Sequence, residues 1–116
     1  MLNKKHLIGN RRVIEALFKK GKIFKSELLI FKYEKSSGNT SQFAVSVSKK
    51  IYKKANKRNH LRRQIQEALR LNLQLLKKNF VALVVARPMA SDRKELFRDL
   101  NENVKTFFKT IQQYAE

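Results

Sequence analysis

QFAVSVSKKIYKKANKRNHLRRQIQEALRLNL, residues 42–73, changes its hydrophobic period partway along. From Gln42 to Ser48 the chain alternates, with Phe43, Val45 and Val47 on one side and Ala44, Ser46 and Ser48 on the other. A two-residue period is that of a half-buried strand. From about Ala55 to Lys78 there is neither Gly nor Pro, and Leu61, Ile65, Ala68, Leu69, Leu73 and Leu76 recur as one helical stripe. Asn59, Arg63, Gln66 and Arg70 fall roughly opposite, and Asn56 sits where an N-cap is expected. A strand handing over to a long helix therefore frames the middle of the chain.

The handover carries charge of one sign. Lys49 to Arg63 holds eight Lys or Arg in fifteen residues, and no acid occurs from Lys35 to Gln66. Solvated surfaces usually mix signs, so such a block creates a positive field with a direction. The nucleic-acid backbone is the most abundant polyanion that answers it. Arg58 and Arg62 are four apart, as are Asn59 and Arg63, so donors line up on adjacent tracks at the helix start. Arg forks phosphate bidentately, and a helix N-terminus adds exposed N–H groups and dipole potential. A merely solvated lysine-rich face is the plainer alternative, but it does not account for that convergence.

Working outward, Gly9 to Lys20 carries Val13, Ile14, Leu17 and Phe18 at helical spacing, with Gly21 at the C-cap position. Ile23 to Tyr33 is dense in apolar residues and reads as strand. Leu29, Phe31 and Tyr33 share one face, and Leu28, Ile30 and Lys32 the other. Ile23 and Phe24 suggest a short strand of their own, and SSGNTS (Ser36 to Ser41) is a turn. On the other side, FVALVVA (Phe80 to Ala86) reads as an interior strand covered on both faces, ended by Pro88. Ser91 is placed as the next N-cap with Glu95 in the first turn, and Leu96, Leu100, Val104, Phe107, Phe108 and Ile111 form a last helix. The order is α-β-β-β-α-β-α. It predicts an α+β fold, a single-domain αβ sandwich spanning residues 1–116.

Composition narrows the function classes. Hydrophobic content of 42% supports a packed core, while the net charge of +18 is unlike that of most small-molecule enzymes. No cysteine is present, which excludes disulfides, thiolate metal sites and cysteine nucleophiles. No run approaches eighteen apolar residues, and MLNKKHLIGNRR lacks the apolar stretch of a signal peptide, so a soluble cytoplasmic protein is expected. Metal-dependent phosphoryl transfer wants clustered carboxylates. Five of the nine acids come late, at Asp92, Glu95, Asp99, Glu102 and Glu116, in helix-surface spacing. His6 and His60 are the only histidines, and three scattered glycines make no phosphate-binding motif. The expectation is no catalytic residue and no metal site on the protein itself.

SVSKK (Ser46 to Lys50), then Ala55, then Arg58-Asn59-His60-Leu61-Arg62-Arg63, resembles the bacterial ribonuclease P protein subunit. That family has a small-residue strand ending in paired Lys, and an RNR motif that opens a long helix. FKKG (Phe18 to Gly21) and ARP (Ala86 to Pro88) agree in position, so the resemblance covers essentially the whole chain. It implies a left-handed βαβ crossover, as in a domain of a ribosomal small-subunit protein, where right-handed connections are the general rule. It implies that a catalytic RNA subunit, using Mg2+, removes the 5′ leader from precursor tRNA, and that the protein binds that RNA and guides the leader along a cleft on its sheet. The partners implied are the RNA subunit and precursor tRNA, with no membrane, no small-molecule substrate and no cofactor on the protein.

Carried over, Arg58, Asn59, Arg62 and Arg63 contact the catalytic RNA, and Lys49, Lys50, Lys54 and Lys57 extend the basic surface. His60 stands where the triplet has a second Arg and offers less charge at neutral pH, with Lys57 or Lys54 to compensate. For the leader cleft the resemblance implies Phe18 from the first helix and Phe31 or Tyr33 from the strand, where rings stack on bases. The earlier helix position falls on Ile14, which cannot stack as a ring does. Two other readings stay open: a structural or ribosomal RNA-binding protein without a role in cleavage, and a DNA-binding regulator using the Arg58 helix.

Overall fold

The computed structural model describes residues 2–90 and 95–113. Among these, no helix is long and apolar enough to cross a membrane. Asn10 caps the first helix, α1 (Arg11–Lys20), its Oδ1 accepting from Arg12 N at 2.9 Å. Gly21 ends α1, but not through a left-handed turn, since its φ is −64°. The need for glycine is steric: a Cβ there would lie 2.6 Å from Leu17 O and 3.2 Å from Tyr33 N. The missing side chain lets the helix end press against the sheet.

Four strands follow the expected order: β1 (Lys22–Lys25), β2 (Leu29–Lys35), β3 (Gln42–Ser46) and β4 (Phe80–Ala86). Their order in the sheet is β1-β2-β4-β3. β1 and β4 both run antiparallel to β2, while β3 runs parallel to β4. A parallel pair needs a long crossover, and α2 (Ala55–Asn72) supplies it. The outer edge of β3 is partly covered, because Leu7 bridges to Phe43 and Ile8 N donates to Phe43 O at 3.0 Å.

Side-chain alternation divides the sheet into two faces. One carries Leu29, Phe31, Phe43, Ala82 and Val84, all buried, beneath α2 and α3 (Leu96–Gln113). Phe107 is the centre of that layer, in ring contact with Phe24, Phe31, Tyr33 and Phe108. The other face carries Ile30, Lys32, Leu83 and Val85, and α1 lies across it through the buried Leu17. β4 is buried on the α2–α3 side and only partly covered by α1 on the other, where Val81 and Val85 stay half-buried, less than its continuous apolar run predicts.

Several boundaries differ from the sequence reading. α2 begins at Ala55 with Lys54 at the N-cap and no side-chain cap, so Asn56 is inside the helix rather than capping it. β3 stops at Ser46, because Ser48 O turns to accept from Ile51 N at 3.1 Å. Gln66 is buried at 9% exposure, not on the open side of α2. The helix closes with a short 3-10 turn over Leu73–Leu75. Ser91 lies outside the described residues.

Candidate nucleic-acid interface

The connection between β3 and α2 is anchored by apolar side chains and covered by charged ones. Val47 is buried, and Ile51 and Tyr52 are half-buried against the core. Lys49, Lys50, Lys53, Lys54 and Lys57 are exposed between and after them. Arg58 reaches back from the first turn of α2, its Nη1 donating to Tyr52 O at 3.0 Å and Lys53 O at 2.7 Å. It fastens the lysine-bearing connection to the helix that follows. Arg62 Nη1 donates to Asn59 Oδ1 at 2.6 Å, one turn away. His60 and Arg63 are exposed.

No ion pair among the described residues neutralises this edge. The pairs lie elsewhere: Arg11 with Glu15 at 3.5 Å, Arg98 with Glu95 at 2.5 Å and Lys105 with Glu102 at 3.7 Å. Glu67, the first acid after the block, pairs with Arg70, whose hydrogen bond holds its carboxyl below the usual carboxylate range. The positive field of the Lys49–Arg63 edge is therefore not cancelled by pairing among the described residues. A cavity of about 470 Å³ opens at the same edge, lined by Tyr52, Asn56, Lys57 and His60 among others. Lys57 Nζ stands 5.8 Å from the centroid of the Tyr52 ring. Tyr52 is a member of this surface that sequence reasoning passed over; its place between paired lysines was the available signal.

The aromatic site reads differently from expectation. Phe18 is 63% exposed on the α1 face of the sheet. Phe31 is fully buried on the opposite face, stacked on Phe107, and so is not available to line a cleft. Tyr33 points the same way as Phe31, its ring edge-on to Phe107 at 5.2 Å and Phe80 at 6.3 Å. The structure thus separates Phe18 from both strand aromatics by the thickness of the sheet. The alternation of β2 holds in the structure; which face α1 covers is set by packing and is not written in the strand's period. The strand residue brought to Phe18 is Lys32, with Nζ 3.8 Å from the ring centroid.

Beside α1 runs a groove of about 330 Å³, with Ile14 and Phe18 on one wall and Ser46, Leu83 and Val85 across its floor. Ser46 ends β3, so the groove floor continues directly into the basic connection. Among the described residues no three His, Asp or Glu converge into a metal-binding group.

Comparison with known proteins agrees in both sequence and fold. The ribonuclease P family profile matches residues 2–112. The ribonuclease P protein component of Clostridium kluyveri is 35% identical over 100 residues, covering 85% of this chain and 88% of that protein. That of Clostridioides difficile is 34% identical over 94 residues, 80% of each chain. The ribonuclease P protein from Thermotoga maritima superposes with a TM-score of 0.78 at 27% identity, covering 86% of this chain and 92% of that one. The Staphylococcus aureus ribonuclease P protein shares the fold, with a TM-score of 0.78 at 20% identity over 91% of this chain and 94% of that one.

Proposed function

This chain belongs to the ribonuclease P protein family, and from that premise we propose how its two surfaces divide the work. The chain is the protein component of a ribonucleoprotein endonuclease that matures the 5′ ends of tRNA. The basic edge seats the RNA subunit, and the groove beside α1 receives the leader of precursor tRNA. Cleavage belongs to the RNA with its Mg2+ ions, and the protein supplies charge and position. Its place of work is the cytoplasm, where precursor tRNA is processed.

The observation that carries this reading is the row of cations along one edge that have no acidic partner among the described residues. Lys49, Lys50, Lys54, Lys57 and Arg63 present open ammonium and guanidinium groups to phosphates. Asn59 and Arg62 brace one another, so the guanidinium is already oriented when RNA arrives. Arg58 spends one nitrogen on holding the connection and keeps its other donors for RNA. His60 adds a ring at the same surface, beside the Tyr52 cavity.

The leader route follows from continuity. A single strand leaving the RNA-bearing edge meets Ser46, then an apolar floor of Leu83 and Val85, then the exposed Phe18 ring. Lys19 and Glu15, the latter paired with Arg11, stand on the rim, and an apolar floor beside one open ring is what an unstacked strand binds. Reconstituted holoenzyme should bind tRNA carrying a short 5′ leader more tightly than mature tRNA. Equal affinities would remove the leader groove from the account, and RNA cleavage by the pure protein would remove the division of labour.

A further inference from the structure

Lys32 does two things at once. Its Nζ lies 3.8 Å from the centroid of the Phe18 ring. It also donates to Phe18 O at 3.3 Å. Phe18 stands in the last turn of α1, where carbonyls lack partners within the helix. Leu17 O is taken by Gly21 N at 3.0 Å, and Phe18 O by Lys32. A cation is favoured at that helix end by the dipole. The strand holds it there, because Lys32 lies between Ile23 of β1 and Leu83 of β4 in the sheet register.

The ring is the exposed partner. At 63% exposure, an unheld Phe side chain exchanges among rotamers, and ordering it on binding costs affinity. An ammonium over one face of the ring fixes that rotamer and leaves the other face open. A base then meets a ready stacking surface.

We propose that Lys32 is a positioning residue for leader recognition, holding the Phe18 ring so that its free face stacks on one base of the leader. This rests on the leader-groove reading above. Lys32 acts through the ring rather than by gripping a phosphate, and that distinction is measurable.

The experiment compares holoenzyme affinity for precursor tRNA with a short leader against mature tRNA, across a range of monovalent salt. The proteins are wild type, Lys32→Met, Lys32→Arg, Phe18→Leu and the Lys32→Met/Phe18→Leu double variant. Assembly with the RNA subunit, expected unchanged throughout, is the control for folding. Lys32→Met should lose about three- to tenfold of the leader-dependent preference. The double variant should lose no more than Phe18→Leu alone, since the two residues act as one unit. Lys32→Arg should recover most of the loss, because a guanidinium also lies over a ring. The salt slope should stay as in wild type. Multiplying losses in the double variant, a slope reduced by about 0.7 as one lost phosphate contact on a single strand gives, or no loss in Lys32→Met would each overturn the proposal. Equal wild-type affinity for the two tRNAs would instead sink the leader-groove reading beneath it.

Discussion

Phe31 and Phe107 stack nearly parallel, with 4.0 Å between ring centroids and 13° between planes. Both are fully buried. The contact joins the sheet to α3 at the centre of the core. Phe31→Ala should therefore cost about 3–5 kcal/mol of stability. Chemical denaturation checks it. A stable Phe31→Ala protein with a selective loss of leader binding would return Phe31 to the RNA surface.

Arg58 is both clamp and cation, and two substitutions separate the roles. Arg58→Lys keeps the charge, but its ammonium ends one bond short of the Nη1 position that binds both Tyr52 O and Lys53 O. It should lower the melting temperature by about 4 °C, the size expected for roughly 1 kcal/mol. Arg58→Ala should show the same thermal loss and a further drop in RNA affinity. Identical RNA affinities for the two variants would mean that Arg58 serves the fold alone.

Gly21→Ala forces a methyl group to within 2.6 Å of Leu17 O. Leu17 O belongs to the last turn of α1 itself, and Tyr33 N of β2 stands 3.2 Å away on the other side, so the methyl group must distort the helix end where it meets the strand. The expected cost is about 1–3 kcal/mol, with a loss of leader preference as Phe18 moves away from Lys32. Unaltered thermal stability in Gly21→Ala would contradict the close approach.

His60 is exposed at the basic edge, where an Arg would be a permanent cation. His60→Arg adds one there. RNA-subunit affinity should rise, and the slope of log K against log salt should steepen by about 0.9. An unchanged slope would place His60 outside the RNA contact.

The fold was legible because each element carries an unambiguous period. Phe43, Val45 and Val47 alternate, Leu61, Ile65, Ala68 and Leu69 recur by helical turns, and β4 is apolar throughout. The basic edge was legible too, since charge of one sign over a strand–helix handover needs no tertiary information. Cap positions were not. The Arg58 side chain turns back to the Tyr52 and Lys53 carbonyls, and α2 starts at Ala55 without the side-chain cap that Asn56 promised. The strand aromatics point away from Phe18 for a physical reason. Periodicity says that Phe31 and Lys32 face opposite ways, but only packing decides that α1 takes the Lys32 side. Gln66 is likewise buried although it lies off the α2 stripe.

The most direct measurement is the salt dependence of RNA-subunit binding, for wild type and for Arg62→Ala/Arg63→Ala. Wild-type affinity should fall by orders of magnitude between roughly 50 and 200 mM monovalent salt. The double variant should bind more weakly at low salt, with a slope shallower by about 1.8 for two lost phosphate contacts, and melt within a few degrees of wild type. A shallow wild-type slope, or a double variant that binds as before, would contradict the seating of a folded RNA on these cations.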